Sequence, residues 1–351
     1  MAKVVILGAG VMGSAMAVVA GDSGHSVALI GTHLDVAIIN SIKETGLHPK
    51  LGVALPSTVK AYQWDRFGEA FGRSADLLIL GVSSAGVDWA IDHVVEVVVN
   101  APPVLMITKG LVPQKASIEL LPRVVAREFE ARKGLQPTVM AVGGPCIASE
   151  LAAKRDTSVV ITGDKTDVLD RVIDLLDVPY YHARTSKDVV GVEVCAAFKN
   201  LFAIGVGWAS GRVERVGRAA NGAQMYNLAA GLFSQALAEL STIVRLLGGE
   251  QASVAGLPGA GDLYVTCQAG RNFRLGRLLG LGMTYSRAKA DHMAAETIEG
   301  AELALTIGPT LAAMMVTGAL PAEQLPLMRA IVDAICQNQP FNPAWGDFFR
   351  A

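Results

Sequence analysis

Gly8-Ala9-Gly10-Val11-Met12-Gly13 stands directly behind the β-rich run Val4-Val5-Ile6-Leu7 and opens a helical stretch, Met12–Ser23. In such a turn the first glycine permits a sharp reversal and the second lets backbone approach a pyrophosphate. The third lets helix and strand pack closely. The helix start then offers backbone N–H groups and the positive end of its dipole to phosphate oxygens. A Gly-x-Gly-x-x-Gly pattern alone says little in a chain with 37 glycines; its place between strand and helix makes it a dinucleotide turn. Gly8, Gly10, Val11, Met12 and Gly13 are therefore expected cofactor contacts.

Working outward, Lys3–Leu7, Ser26–Ile30, Asp76–Val82, Val104–Thr108, Thr138–Val142 and Thr157–Thr162 read as short strands rich in Val, Ile and Leu, with helical stretches between. Continuous apolar strands separated by helices imply a parallel sheet covered on both faces. Beyond residue 187 strand patterns fade. Ala/Leu/Gly-rich helical stretches follow at Gly191–Gly207, Asn227–Leu247, Arg274–Leu281, Ala294–Ile307 and Ala322–Gln337. The expected architecture is α/β: an N-terminal Rossmann parallel-sheet domain, 1–187, followed by an all-helical C-terminal domain, 188–351.

The second strand ends Ile30-Gly31-Thr32-His33, with no carboxylate before Asp35 and no arginine beside it. A carboxylate there would favour NAD and an arginine NADP, so the cofactor is NAD or NADP with both open. Thr32 and His33 are the candidate contacts. His33 reads equally well as a plain surface residue.

Composition narrows the class. Of 351 residues, 51% are apolar and 18% charged, which excludes a disordered chain. The net charge of −2 gives no basic field, so no nucleic-acid partner is expected. The uncharged stretch Leu303–Leu320 is broken by Gly308, Pro309 and Gly318, and reads as a buried helix pair, not a membrane span. The strand pattern begins at once, so no signal peptide is expected. Cys146, Cys195, Cys267 and Cys336 form no C-x-x-C pair and read as reduced thiols of a cytoplasmic protein. The scattered histidines suggest no metal site.

Three further segments carry chemistry. Ile107-Thr108-Lys109-Gly110 ends a strand, where ligands gather in open α/β sheets. Gly191–Asn200 places Lys199 and Asn200 within an otherwise apolar helix. Gly259-Ala260-Gly261-Asp262 is a glycine-rich turn, followed by Thr266, Arg271 and Asn272. A lysine in an apolar helix face is costly unless paired, and Asp262 is a natural partner.

Together with Gly144–Glu150, these segments resemble the NAD(P)-dependent glycerol-3-phosphate dehydrogenase family, in its order and over nearly the whole chain. The resemblance implies a helical domain like the C-terminal domain of 6-phosphogluconate dehydrogenase. It also implies reversible hydride transfer between nicotinamide and C2 of glycerol 3-phosphate or dihydroxyacetone phosphate. In that reading Lys199 is the general acid/base, Asp262 holds it, and Lys109 adds positive charge beside the substrate oxygen. Lys109, Thr266, Arg271 and Asn272 bind substrate. Lys109, Ala148, Arg271 and Glu299 contact the cofactor, though Glu299, a charge at a helix end, reads equally as structural. A small phosphorylated substrate is the expected partner, and a homodimer is plausible because glycine- and alanine-rich helices such as Asn227–Leu240 pack closely.

Several positions depart from the family pattern. Gly211–Arg218, with Arg212, Arg215 and Arg218, lengthens the chain, either as a solvated loop or as contacts to a larger substrate such as a tetritol phosphate. Gln235 stands where an arginine is expected, and Cys146 where serine or asparagine is usual. Gly81–Ser84 lacks a proline, and Leu47–Gly52 replaces a Tyr-Leu-Pro-Gly-like segment.

Overall fold

The computed structural model describes residues 1–349 apart from Ala116, Arg218 and Ala269. The chain forms two compact units, Met1–Lys109 with Leu121–Val189, and Gly110–Leu120 with Val190–Ala351. The segment Gly110–Leu120 thus leaves the first unit and belongs to the second. Beyond Val189 the described elements are all helical, as expected, and the second unit takes in two short strands from Gly110–Leu120 besides.

The strands are β1 (Lys3–Leu7), β2 (Ser26–Ile30), β3 (Leu47–His48), β4 (Val53–Ala54), β5 (Val59–Tyr62), β6 (Leu77–Leu80), β7 (Val104–Met106), β8 (Leu111–Pro113), β9 (Ile118–Leu120), β10 (Val139–Gly143), β11 (Thr157–Thr162) and β12 (Tyr181–Ser186). In the first unit, β12-β11-β10-β7-β6-β1-β2-β5 form one sheet in that order. Its pairings are parallel except β10 with β11, which run antiparallel. The wholly parallel expectation fails there because Gly143 leads through the short helix Ala148–Ala152 back into β11 with no full crossover.

Val4–Leu7 and Leu77–Leu80 are fully buried, as strands covered on both faces must be. Leu7 stands opposite both Ile30 and Leu80. That register brings the loops after β1, β2 and β6 to the same edge of the sheet, where open α/β folds bind ligands.

The second unit is organised on the helix Val189–Val216. It is long and apolar enough to cross a membrane, yet 83% of its most apolar window is buried inside the fold. The helix Arg271–Gly280 lies against it through interlocking glycines. A Cβ on Gly207 would lie 2.3 Å from the Phe273 carbonyl oxygen, and one on Gly280 2.2 Å from that of Trp208. Only hydrogen at these positions lets the two backbones come so close.

Leu303–Leu320, expected as a buried helix pair, lies instead through Val316 in one helix, Glu299–Val316, which carries Pro309 inside it, and continues as a turn with Gly318 at φ +77°. The lengthening segment is also not a loop up to Val216, since it continues the long helix. Arg212 lies over the Trp208 ring at 5.3 Å, and Glu214 pairs with Arg277 at 2.5 Å. Arg218 lies outside the described residues.

Candidate functional site

In the first unit the glycine turn is pinned from three sides. Gly8, at φ +114°, has no room for a side chain, because a Cβ would meet the Gly81 carbonyl oxygen at 2.5 Å. A Cβ on Gly13 would meet the Gly8 carbonyl oxygen at 2.0 Å. Between them, the Ala9 carbonyl accepts the Ser14 hydroxyl at 3.1 Å and the His48 Nε2–H at 3.1 Å. The His48 tautomer follows from its other nitrogen, which accepts the Lys50 and Leu51 N–H groups at 3.2 and 3.1 Å. Burial holds the His48 pKa below its usual value, which keeps the ring neutral in this role.

Gly10 differs: a Cβ there would meet nothing within 4 Å. The backbone is locked while this one face stays open at the head of the helix Val11–Asp22. That arrangement fits a dinucleotide pyrophosphate. Met12 touches Cys146, Sγ to Sδ at 4.0 Å, and the helix Ala148–Ala152 packs on Val11–Asp22. Cys146 and the buried Ala148 therefore line the same turn. Thr108 donates its hydroxyl to the Val82 carbonyl at 2.6 Å, tying the ends of β6 and β7 just before Lys109, a half-buried residue. His33 is exposed, its ring edge-on to Trp89 at 5.7 Å.

In the second unit Lys199 and Asp262 form an ion pair, both buried. The long apolar helix carries the lysine. The carboxylate sits at the start of Asp262–Gln268, delivered by the π-helical turn Leu257–Gly261. Gly259 permits that turn, since a Cβ would lie 2.1 Å from the Val254 carbonyl oxygen. Cys267 lies within electrostatic reach of Lys199; burial, opposed by the lysine charge, pushes its thiol up to about 12. The thiol thus stays neutral beside the ammonium.

The neighbouring polar groups form a chain. Asn272 donates to Asn200 Oδ1 at 3.0 Å and accepts the Gly300 N–H at 2.9 Å. A Cβ on Gly300 would lie 2.3 Å from the Asn200 carbonyl oxygen. Arg271 pairs with Glu299, both part-exposed at the starts of their helices.

Two expected substrate contacts look different in three dimensions. Thr266 turns its hydroxyl back onto the Asp262 carbonyl at 2.6 Å. The Asn272 amide is engaged by Asn200 and Gly300, which makes it a brace between helices. Gln235 is buried, donating to Glu239 at 2.8 Å and accepting the Phe349 N–H at 3.0 Å. The sequence alone assigns no site role to Asp35, His48, Asn200 or Cys267. Only Asn200, adjacent to Lys199, carried a hint of its place.

A dinucleotide turn in one unit and a buried lysine–carboxylate pair in the other define a nicotinamide-dependent oxidoreductase. Comparison with known proteins narrows the class. Sequence profiles for the NAD-dependent glycerol-3-phosphate dehydrogenase N-terminus and C-terminus match residues 3–168 and 188–345. A glycerol-3-phosphate dehydrogenase (NAD(P)+) of Desulfitobacterium hafniense is 32% identical over 287 residues, covering 80% of this chain and 75% of that one. An NADP(+)-dependent glycerol-3-phosphate dehydrogenase of Archaeoglobus fulgidus is 31% identical over 283 residues, 81% of each chain. The crystal structure of glycerol-3-phosphate dehydrogenase from Coxiella burnetii matches with a TM-score of 0.79 at 25% identity, over 97% of this chain and 96% of that one. The chain belongs to the NAD-dependent glycerol-3-phosphate dehydrogenase family.

Proposed function

We propose that the protein is a sn-glycerol-3-phosphate dehydrogenase, interconverting glycerol 3-phosphate and dihydroxyacetone phosphate with NAD or NADP. The observation that carries this reading is the buried Lys199–Asp262 pair. A lysine so placed holds a proton at a fixed point and out of bulk water.

Bound nicotinamide supplies or takes the hydride at C2. In the direction of ketone reduction, Lys199 Nζ gives a proton to the substrate oxygen as negative charge develops on it; in the reverse direction the neutral amine takes it back. Asp262 accepts a hydrogen bond from Lys199 and so fixes where that proton is delivered. Lys109 adds positive charge for the oxygen. Arg271 grips the phosphate with its guanidinium fork, and that requires its contact with Glu299 to loosen. Asn272 keeps Arg271 in place by bracing its helix on Asn200, and Thr266 lines the same pocket. Gly8, Gly10, Val11, Met12, Gly13, Thr32, His33, Ala148 and Glu299 serve the nucleotide.

A longer phosphorylated polyol such as a tetritol phosphate is not favoured. Arg212 and Glu214 of the lengthening segment are turned to Trp208 and Arg277. We further propose a cytoplasmic location and a homodimer, the dimer being tested by light scattering on the purified protein. The activity is tested by following nucleotide absorbance with dihydroxyacetone phosphate and NADH or NADPH. Absence of oxidation with either would defeat the reading.

A further inference from the structure

Ala9 stands between the first two glycines of the nucleotide turn, and its peptide bond to Gly10 is trans. Across a trans peptide the carbonyl of one residue and the N–H of the next point opposite ways. Whatever holds the Ala9 carbonyl therefore sets the direction of the Gly10 N–H. Among the described residues no protein group accepts that N–H, and Gly10 is the position whose face is open.

Two side chains hold the carbonyl, Ser14 and His48, each at 3.1 Å. Ser14 belongs to the helix that the turn opens, whereas His48 reaches in from the hairpin of β3 and β4, where it stands opposite Val53. Gly52, at φ +67°, donates its N–H to the His48 carbonyl at 2.8 Å and closes that hairpin. Leu51, Val53 and Leu55 pack it against the core of the first unit. The His48 ring is fully buried, and its Nδ1 accepts the Lys50 and Leu51 N–H groups. One imidazole thus ties the hairpin to the glycine turn, and it does so only when neutral. A proton on Nδ1 would face two N–H groups and would place a charge in a buried site.

We infer that His48 is a positioning residue that aims the Gly10 N–H at the pyrophosphate, and that its protonation releases the turn and weakens nucleotide binding in acid. Two charges act on the ring. Lys50, in the hairpin turn, opposes the proton; Asp35, which also accepts the Ala9 N–H at 3.2 Å, favours it. Burial outweighs Asp35 and the backbone bonds and holds the ring's titration below its usual 6.5. Binding is therefore full at neutral pH and falls as pH drops through that lowered value.

This role rests on the proposed function only in that a nicotinamide nucleotide binds the turn, so no substrate is needed to test it. NAD+ and NADP+ are titrated calorimetrically into the wild type, His48→Gln and Lys50→Ala between pH 5 and pH 8. Glutamine keeps an N–H to donate and an oxygen to accept, but takes up no proton. Comparing Kd between variants at each pH cancels any titration of the nucleotide itself. Wild type and H48Q should bind alike at pH 8. By pH 5 the wild type should be weaker by about threefold or more, since one linked proton costs up to about tenfold per pH unit. In K50A the loss should begin at higher pH, because a charge that opposes the proton is gone. A wild-type affinity constant from pH 5 to pH 8, or an equal fall in H48Q, would overturn the inference. Should H48Q fail to fold, K50A decides: a loss beginning at the wild-type pH overturns it. Binding of neither nucleotide at pH 8 would overturn the proposed function as well.

Discussion

The Cβ that Gly276 lacks would lie 2.0 Å from the Ile204 carbonyl oxygen, so hydrogen is the only substituent these two helices admit there. The contact sets the distance between the helix carrying Lys199 and the helix headed by Arg271 and Asn272. Gly276→Ala must push them apart, at a cost of about 1–3 kcal/mol or more. Chemical denaturation measures the loss. The displacement also moves Asn272 against Asn200, so phosphate affinity falls with stability.

Gly10 and Gly13 belong to one turn but answer to different constraints. Gly13→Ala collides with the Gly8 carbonyl oxygen at 2.0 Å and should lower the melting temperature. Gly10→Ala meets nothing within 4 Å and should melt as the wild type does. Its methyl group instead takes the face open to the pyrophosphate, so nucleotide binding weakens. Calorimetry and nucleotide titration on the two variants separate these effects.

Lys199→Ala should lower kcat by about 10²–10⁴-fold, the usual contribution of a positioned acid or base. Nucleotide binding should be unchanged, since Lys199 is assigned a proton to move and no contact with the nucleotide. Asp262→Ala should instead cost stability, about 3–5 kcal/mol, by leaving the buried ammonium without this carboxylate. If Lys199→Ala turned over at the wild-type rate, the acid/base assignment would be wrong.

Glu239 gives the fold a pH dependence remote from catalysis. Its oxygens accept the Leu327 and Met328 N–H groups at 2.6 and 2.7 Å, yet burial outweighs these bonds and raises its pKa from 4.5 to about 7. Between those values the folded chain holds a proton that the unfolded chain has released. The stabilisation is full below pH 4.5 and is lost as pH rises through 7, on the order of 3 kcal/mol in all. Denaturation at pH 5 and pH 7.5 should show the loss in the wild type. Glu239→Gln, less stable throughout, should show little change between the two.

The residues legible in the sequence were those whose type clashes with their surroundings. A glycine triplet between strand and helix, or a lysine inside an apolar helix, is rarely there for packing alone. Lys199 and Asp262 do meet. Asp35 and His48 stayed hidden because their roles depend on side chains reaching back to Ala9 from 26 and 39 residues away. β5 and β12 escaped for a different reason. Val59-Lys60-Ala61-Tyr62 and Tyr181–Ser186 form the two edges of the sheet, where polar residues break the continuous apolar run of a buried strand. The hairpin of β8 and β9 is shorter than any periodicity can register.

The activity read from Lys199 and Asp262 is reduction of a three-carbon keto-phosphate by a nicotinamide nucleotide. Its most direct test is initial-rate oxidation of NADH or NADPH with dihydroxyacetone phosphate, unphosphorylated dihydroxyacetone and a four-carbon keto-phosphate in parallel. Turnover is expected with dihydroxyacetone phosphate, with kcat/KM well above that of either alternative. No oxidation with either nucleotide, or a clear preference for the four-carbon phosphate, would contradict it.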